Sequence, residues 1–210
     1  MSLSPANPSA PRAPRIALFA ASARRDALSK RLAAACVAPL QAAGADVMHL
    51  DLNDHTLPLY HGDEEAAALA QGSLPAAVVA LQQVFARAEA FLVVTPEYNG
   101  SIPPLLKNTL DWCSRPNPAD PARSGGVLYA NKPAALMATS PGPLGGMRAL
   151  FHARDVLGYL NMIVLPQQLA VGRAHEAIAE GKLIDERQHK TMVGICEALV
   201  HATLKLGSHL

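Results

Sequence analysis

The sequence predicts a doubly wound α/β sheet of five parallel strands, and three observations carry that prediction. Short apolar runs alternate with longer helical stretches along most of the chain, which is the pattern of strands joined by crossover helices. The stretch Phe91–Trp112, FLVVTPEYNGSIPPLLKNTLDW, contains a whole strand–turn–helix unit. Polar turns rich in Ser and Gly then sit at the carboxyl ends of three of the strands, where open α/β sheets bind ligands.

Taken in order, Met1–Pro14 is rich in Pro, Ser and Ala and is expected to be a disordered arm, leaving residues 15–210 as one domain. Arg15–Ala20 (RIALFA) reads as the first buried strand, and Ala21–Ser29 is a polar turn. Leu28–Ala43 reads as a helix ended by Gly44. Asp46–Leu52 is the second strand, and Asn53–Gly72, with its prolines and acids, reads as a long, partly ordered loop. Leu74–Ala88 is a helix with Pro75 in its first turn.

Phe91–Thr95 is the third strand. Pro96 cannot donate to a sheet and Asn99-Gly100 is a turn pair, so the strand ends there. Pro103-Pro104 opens the next helix, with Leu105, Leu106, Thr109, Leu110 and Trp112 on its apolar side. Arg115–Asn131 reads as an exposed excursion, Pro133–Thr139 as the fourth strand, Ser140–Gly146 as a Gly/Pro turn, and Met147–Leu160 as a helix. Asn161–Leu165 is the fifth strand, a loop follows around Val171–Gly181, and Asp185–Lys205 is the closing helix. Five strands in this alternation favour the flavodoxin-like order 2-1-3-4-5.

Composition narrows the function classes. The chain has 210 residues, 50% hydrophobic, enough for one well-buried domain. A net charge of +1 and 4% aromatic residues argue against nucleic acid or a membrane surface as partner. Cys36, Cys113 and Cys196 are widely spaced, which suits a reducing, cytoplasmic setting rather than a disulfide framework. No apolar run is long enough to span a membrane, and no secretory leader is expected.

In the expected strand order, strands 1, 3 and 4 are neighbours, so the loops Ala21–Ser29, Pro96–Ser101 and Ser140–Gly146 converge on one crevice. The first precedes a helix N-terminus, which favours an anion. Ser22, Ser29 and Arg24 can add donors. It lacks the glycines of a dinucleotide turn, so a terminal monophosphate suits it better than a pyrophosphate. An ordinary helix cap with solvated arginines also accounts for it. The second loop offers backbone N–H groups, and Gly100 permits close approach to a flat ligand. A hairpin-like turn that merely ends the strand is the other reading. Gly142, Gly145 and Gly146 repeat the pattern in the third loop.

Other residues carry less. Asp111 and Trp112 read as surface and core, Glu97 as a cap or a solvated acid, and Cys113 as a buried thiol. The eight histidines show no metal-ligand spacing, and no nucleophile elbow is present.

At PEYNGSIPPLLKNTLDW (Pro96–Trp112), SARRDALSKRLA (Ser22–Ala33), LPLY (Leu57–Tyr60) and SPGPLGGMRA (Ser140–Ala149), the chain resembles the NADPH-dependent FMN reductase family, which includes chromate, quinone and azo-dye reductases. The resemblance runs over about Arg15–Leu206. It implies a flavodoxin-like fold holding FMN, with Ser22, Arg24 and Ser29 on the phosphate. Pro96, Glu97, Tyr98, Asn99 and Gly100 would face the isoalloxazine through backbone groups, and Ser140, Gly142 and Gly145 would border it. The family's leading Gly, second Ser and Asn in the first loop are Ala21, Ala27 and Ser29 here. Ala27 removes a hydroxyl donor worth about 0.5–1.5 kcal/mol.

The implied activity passes two electrons from NADPH or NADH through FMN to a small-molecule acceptor: a quinone, an azo compound, a metal oxyanion or free flavin. No catalytic side chain is required, since the cofactor carries the chemistry. A flavin-binding or flavin-less regulatory protein is the alternative from another class, and the near-neutral charge disfavours a flavodoxin-type carrier. A homodimer or homotetramer is expected, from the apolar helix after Pro103 and from the resemblance.

Overall fold

The structure is a computed structural model and describes residues 12–179 and 181–207. Its main sheet has the expected parallel order β2-β1-β3-β4-β5. The strands are β1 (Arg15–Ala20), β2 (Asp46–Asp51), β3 (Ala90–Pro96), β4 (Pro133–Thr139) and β5 (Ile163–Val171). The helices are α1 (Leu28–Ala42), α2 (Gly62–Ala70), α3 (Ala76–Arg87), α4 (Pro104–Cys113), α5 (Met147–Tyr159), the single turn α6 (Ala174–Ala177) and α7 (Glu186–Gly207). A small antiparallel pair, β6 (Ile178–Ala179) and β7 (Lys182–Leu183), precedes α7.

The central strands are apolar throughout because each alternate residue meets a different helical layer. Leu18, Leu92 and Met137 pack on Leu32 and Cys36 of α1 and on Ile195 and Leu199 of α7. Phe19, Phe91 and Leu136 pack on Phe85 of α3, Leu110 of α4 and Leu150 of α5. A satellite cluster joins Leu74, Val78 and Trp112, with Leu57 and Tyr60 against it.

Two expectations are corrected, for Asn53–Gly72 and for the fifth strand, and two more segments gain detail. Asn53–Gly72 is not mainly loop, since it contains α2. That helix buries none of its residues, so no apolar periodicity announces it; three acids in its first turn and His61 Nδ1, which accepts from Asp63 N, favour its N-terminus. The excursion Arg115–Asn131 is exposed over about half its length, as expected, but is anchored to the core at several points. Gln82 Nε2 donates to the carbonyls of Cys113 and Arg115, and Leu128 and Tyr129 are buried. The fifth strand runs on to Val171 through Pro166 because it is a sheet edge with a register shift, where a proline is tolerated. The arm expected over 1–14 lies outside the described residues up to position 11, but Arg12 pairs with Glu89 at 2.6 Å and Pro14 O accepts from Asp46 N at 3.0 Å, so its end is tied to the sheet.

The LPLY segment is held on α4 by side chains of the signature helix. Trp112 Nε1 donates to Pro58 O at 2.8 Å, and Asn108 accepts from Tyr60 N at 2.7 Å while donating to Pro58 O at 2.9 Å. Trp112 and Leu110 are therefore core. They supply none of the exposed apolar surface that their sequence position suggested for an oligomer contact.

Candidate functional site

Strand order brings together the three loops singled out from the sequence. Backbone pairing continues past β1, with Ala21 N donating to Val94 O at 2.9 Å, so the first loop leaves the sheet alongside β3. A hollow of about 70 Å³, roughly the size of a phosphate group, lies where the loops meet. The first loop and the start of α1 line it with Ser22, Arg24, Ala27, Leu28 and Ser29. The loop after β3 supplies Pro96, Glu97 and Tyr98, and the end of β4 supplies Thr139 and Pro141. Larger hollows lie at the opposite pole, beside α4 and α5, and at the carboxyl ends of β1 and β2, where Lys30, His49 and Asp51 line about 240 Å³, but none of these joins the loops after β1, β3 and β4.

The first loop is pinned in place. Ser22 Oγ accepts from Arg24 N at 3.3 Å, and Asn53 Nδ2 donates to Ala23 O at 3.0 Å. Lys30, in the first turn of α1, pairs with Asp51 at 2.6 Å, and burial of the Asp51 carboxyl is outweighed by Lys30 and Asn53 N, which hold its pKa below the usual value. Helix α1 begins at Ala27 with no side-chain cap, so its first N–H groups face the hollow without a side-chain acceptor. Ser29 Oγ is buried there with no hydrogen-bond partner. A buried hydroxyl without a partner costs free energy unless something else satisfies it. An anion at this place, such as the phosphate of FMN, meets the uncapped helix end, the orphaned hydroxyl and the Arg24 guanidinium together, so the residues present fit that group.

The second loop turns tightly. Tyr98 and Ser101 exchange both backbone hydrogen bonds at 3.0 Å, and Asn99 (φ 50°) and Gly100 (φ 75°) are both left-handed. That is a type I′ hairpin turn, which favours Asn-Gly. A Cβ at Gly100 would meet only the Arg148 side chain, at 3.8 Å. The left-handed backbone of the turn is enough by itself to favour glycine here. Tyr98 reaches back over the hollow, its hydroxyl 3.4 Å from Ser22 Oγ.

Glu97 has a structural partner that the sequence did not signal. Its carboxylate pairs with Arg148 and accepts from Arg148 N, in the first turn of α5. Helix α5 starts at Gly146, which offers no side-chain cap, so Glu97 caps it from another loop. Burial raises the Glu97 pKa, but the hydrogen bonds and charge of Arg148, with the Arg148 and Ala149 N–H groups, bring it below the ordinary carboxylate value. A firmly ionised, paired carboxylate is not a proton shuttle. His152, one turn later, lies 2.8 Å from Ser101 Oγ.

In the third loop the small residues serve packing against the end of β5. Ser140 Oγ accepts from Gly142 N at 3.1 Å. A Cβ at Gly145 would come within 2.7 Å of Ala170 C, and one at Gly172 within 2.4 Å of Pro143 O. Cys113 is buried, and burial pushes its thiol up to about 12, against a smaller opposite effect from Tyr129. It is not a nucleophile. Among the described residues, no cluster of His, Cys, Asp and Glu is arranged to hold a metal ion.

Comparison with known proteins agrees with this arrangement. The family profile described as NADPH-dependent FMN reductase matches residues 14–176. The chain is 34% identical over 178 residues to a 2-hydroxy-1,4-benzoquinone reductase from a Burkholderia species, covering 84% of this chain and 88% of that protein. It is 34% identical over 155 residues to an NAD(P)H-dependent FMN reductase of Pseudomonas aeruginosa, covering 72% and 77%. Among solved structures, the flavoenzyme NAD(P)H:(acceptor) oxidoreductase FerB of Paracoccus denitrificans superposes with a TM-score of 0.75 at 28% identity, over 91% of this chain and 98% of that one. On a match that runs through all three loops of the crevice, the chain belongs to the NADPH-dependent FMN reductase family.

Proposed function

We propose that this protein is an FMN-dependent NAD(P)H oxidoreductase whose acceptor is a quinone. The observation that carries the reading is the orphaned Ser29 Oγ beside the uncapped start of α1, inside a phosphate-sized hollow at the carboxyl ends of β1, β3 and β4. When bound, FMN supplies the two-electron relay between the nicotinamide and the acceptor. Ser22, Arg24 and Ser29 hold its phosphate. Backbone groups of Pro96–Gly100, and the Ser140, Gly142 and Gly145 loop on the other flank, border the crevice. Glu97 and Arg148 keep the second loop and α5 at a fixed separation, so that the crevice walls do not shift between substrates.

A quinone is favoured over azo compounds and metal oxyanions because quinone reduction is named in relatives at a third identity, while free flavin is the competing acceptor, since an FMN reductase is named at the same identity. Three free, buried thiols suit a reducing cytoplasm. Assembly into a homodimer or homotetramer uses the α4–α5 face. Tyr159 is 87% exposed there and Phe151 52%, and the hollows on this face carry Lys107 and Asp155, opposite charges that can pair across a two-fold axis.

The test is purification followed by steady-state oxidation of NADPH and NADH against a quinone panel. Flavin absorbance bands and quinone-dependent turnover are expected. A colourless protein that neither takes up FMN nor turns over would replace this reading with a regulatory one.

A further inference from the structure

At the pole opposite the flavin crevice, the amino ends of β1, β3 and β4 meet the carboxyl ends of α3 and α7 around a cavity of about 350 Å³. That lies within the range of small-molecule sites, roughly 300–1,000 Å³. Arg15, Arg87 and Lys132 face it, against Glu89 as the single carboxylate among the described lining residues. Glu89 is already engaged, by Arg12 at 2.6 Å and by Arg15 N at 3.0 Å. The rest of the wall is largely apolar, with Ala88 and Leu206 among its residues.

Helix carboxyl ends attract cations, so some positive charge here is ordinary. The carbonyl of Phe85, near the end of α3, takes one hydrogen from Lys132 Nζ at 3.2 Å. The cationic capacity exceeds that need. Lys132 Nζ otherwise lies over the Phe91 ring, 5.7 Å from its centroid. Arg15 Nε is buried and makes no hydrogen bond, its nearest carboxylate oxygen being Glu89 Oε2 at 3.5 Å. Donors left without acceptors at the edge of an apolar cavity call for an acceptor from outside.

We propose that this cavity is a second ligand site, distinct from the flavin crevice, which takes a small organic carboxylate with an apolar body. The carboxylate meets Lys132 and Arg15, with Arg87 at the rim, and the apolar body lies against Ala88 and Leu206. Burial supports the pairing: it pulls the Lys132 pKa down to about 8, against an opposite pull from Glu89 and with a smaller lowering from Arg15, so an added anion relieves an existing penalty.

The experiment is an amide NMR titration of the FMN-loaded full chain with benzoate. Benzyl alcohol serves as the probe of the same shape without charge. Saturable shifts are expected at Ala88, Ala130, Lys132 and Leu206, with none at Ser22–Ser29 and no saturation by benzyl alcohol. Lys132→Met should weaken benzoate about tenfold and Arg87→Ala about threefold, as charge-assisted bonds are lost. Arg87 is exposed, so its variant tests the site without disturbing the core. Absence of saturable shifts would overturn the proposal, as would equal binding of benzyl alcohol or wild-type affinity in both variants. None of these readouts depends on turnover, so the site stands or falls separately from the quinone reductase reading.

Discussion

Glu97 and Arg148 are 51 residues apart in the chain and joined by three hydrogen bonds in the fold, one of them from Arg148 Nη2 to Glu97 Oε1. Arg148 Nε donates to Glu97 Oε1 at 2.8 Å, and Arg148 N donates to Glu97 Oε2 at 3.1 Å. The Glu97 side chain is 7% exposed and that of Arg148 60%. The carboxylate thus works mainly as a helix cap delivered from a neighbouring loop, with a half-solvated ion pair beside it.

Glu97→Gln should therefore cost stability, about 1 kcal/mol by the usual worth of a cap. Its kcat should stay within a few-fold of wild type, because no proton passes through this group. The folded pKa lies below the ordinary value of 4.5, so the contribution is present above that value and is lost as pH falls through the folded pKa. Urea unfolding at pH 7 and at pH 3.5 checks both parts. A variant as stable as wild type at pH 7, or one without turnover, would contradict them.

Ser29→Ala separates cofactor binding from folding. In the absence of ligand the hydroxyl has no partner, so its removal should leave stability unchanged or slightly raised. FMN affinity should fall about tenfold, the usual loss for one hydrogen bond to a charged group, while the weaker binding of riboflavin should not change. Arg24→Ala should behave likewise. Flavin titrations of both variants decide it; equal affinity of the wild type for FMN and riboflavin would remove the phosphate from this hollow.

Gly100→Ala should cost about 1 kcal/mol through its left-handed backbone. Among the chain's own atoms the added methyl finds only Arg148, at an ordinary contact distance, so if the turn alone requires this glycine, flavin affinity changes less than stability. If affinity instead falls further than stability, the glycine serves a close approach to the ring and not the turn alone. Paired thermal unfolding and FMN titration measure the two.

Lys132 should make stability rise in alkaline solution. Its folded pKa of about 8 lies below the ordinary 10.5, so between those values the unfolded chain binds more protons and deprotonation favours the fold. Lys132→Met removes the effect. Its stability relative to wild type should be greatest near pH 7 and should shrink toward pH 10.5, by no more than about 3 kcal/mol. A difference that does not vary with pH would mean that the buried amine is not under strain.

Tyr159→Asp should break the proposed assembly. It puts a charge on the exposed end of α5, beside Asp155, with no buried contact to lose within the chain. Light scattering should show a smaller particle than the wild type at the same concentration. A wild-type monomer would place the exposed tyrosine outside any self-contact.

Local periodicity and chain connectivity determined the sheet by themselves. Apolar runs such as Ile16–Ala20 and Phe91–Val94, split by helices long enough to cross over, leave few orders for five parallel strands. The positions of Ser22, Ser29 and Pro96–Gly100 at strand carboxyl ends follow from that order alone. What required the tertiary structure are features without a local signal. Helix α2 buries no face, so nothing in its spacing marks it. The indole N–H of Trp112 finds its acceptor in Pro58, 54 residues away, a partner that no local pattern announces. The cap that Glu97 places on α5 and the cationic cavity at the opposite pole join residues from separate units. Periodicity reports which face of an element is apolar; only packing decides which charged groups from distant elements share a place and which of their hydrogen bonds stay unmade.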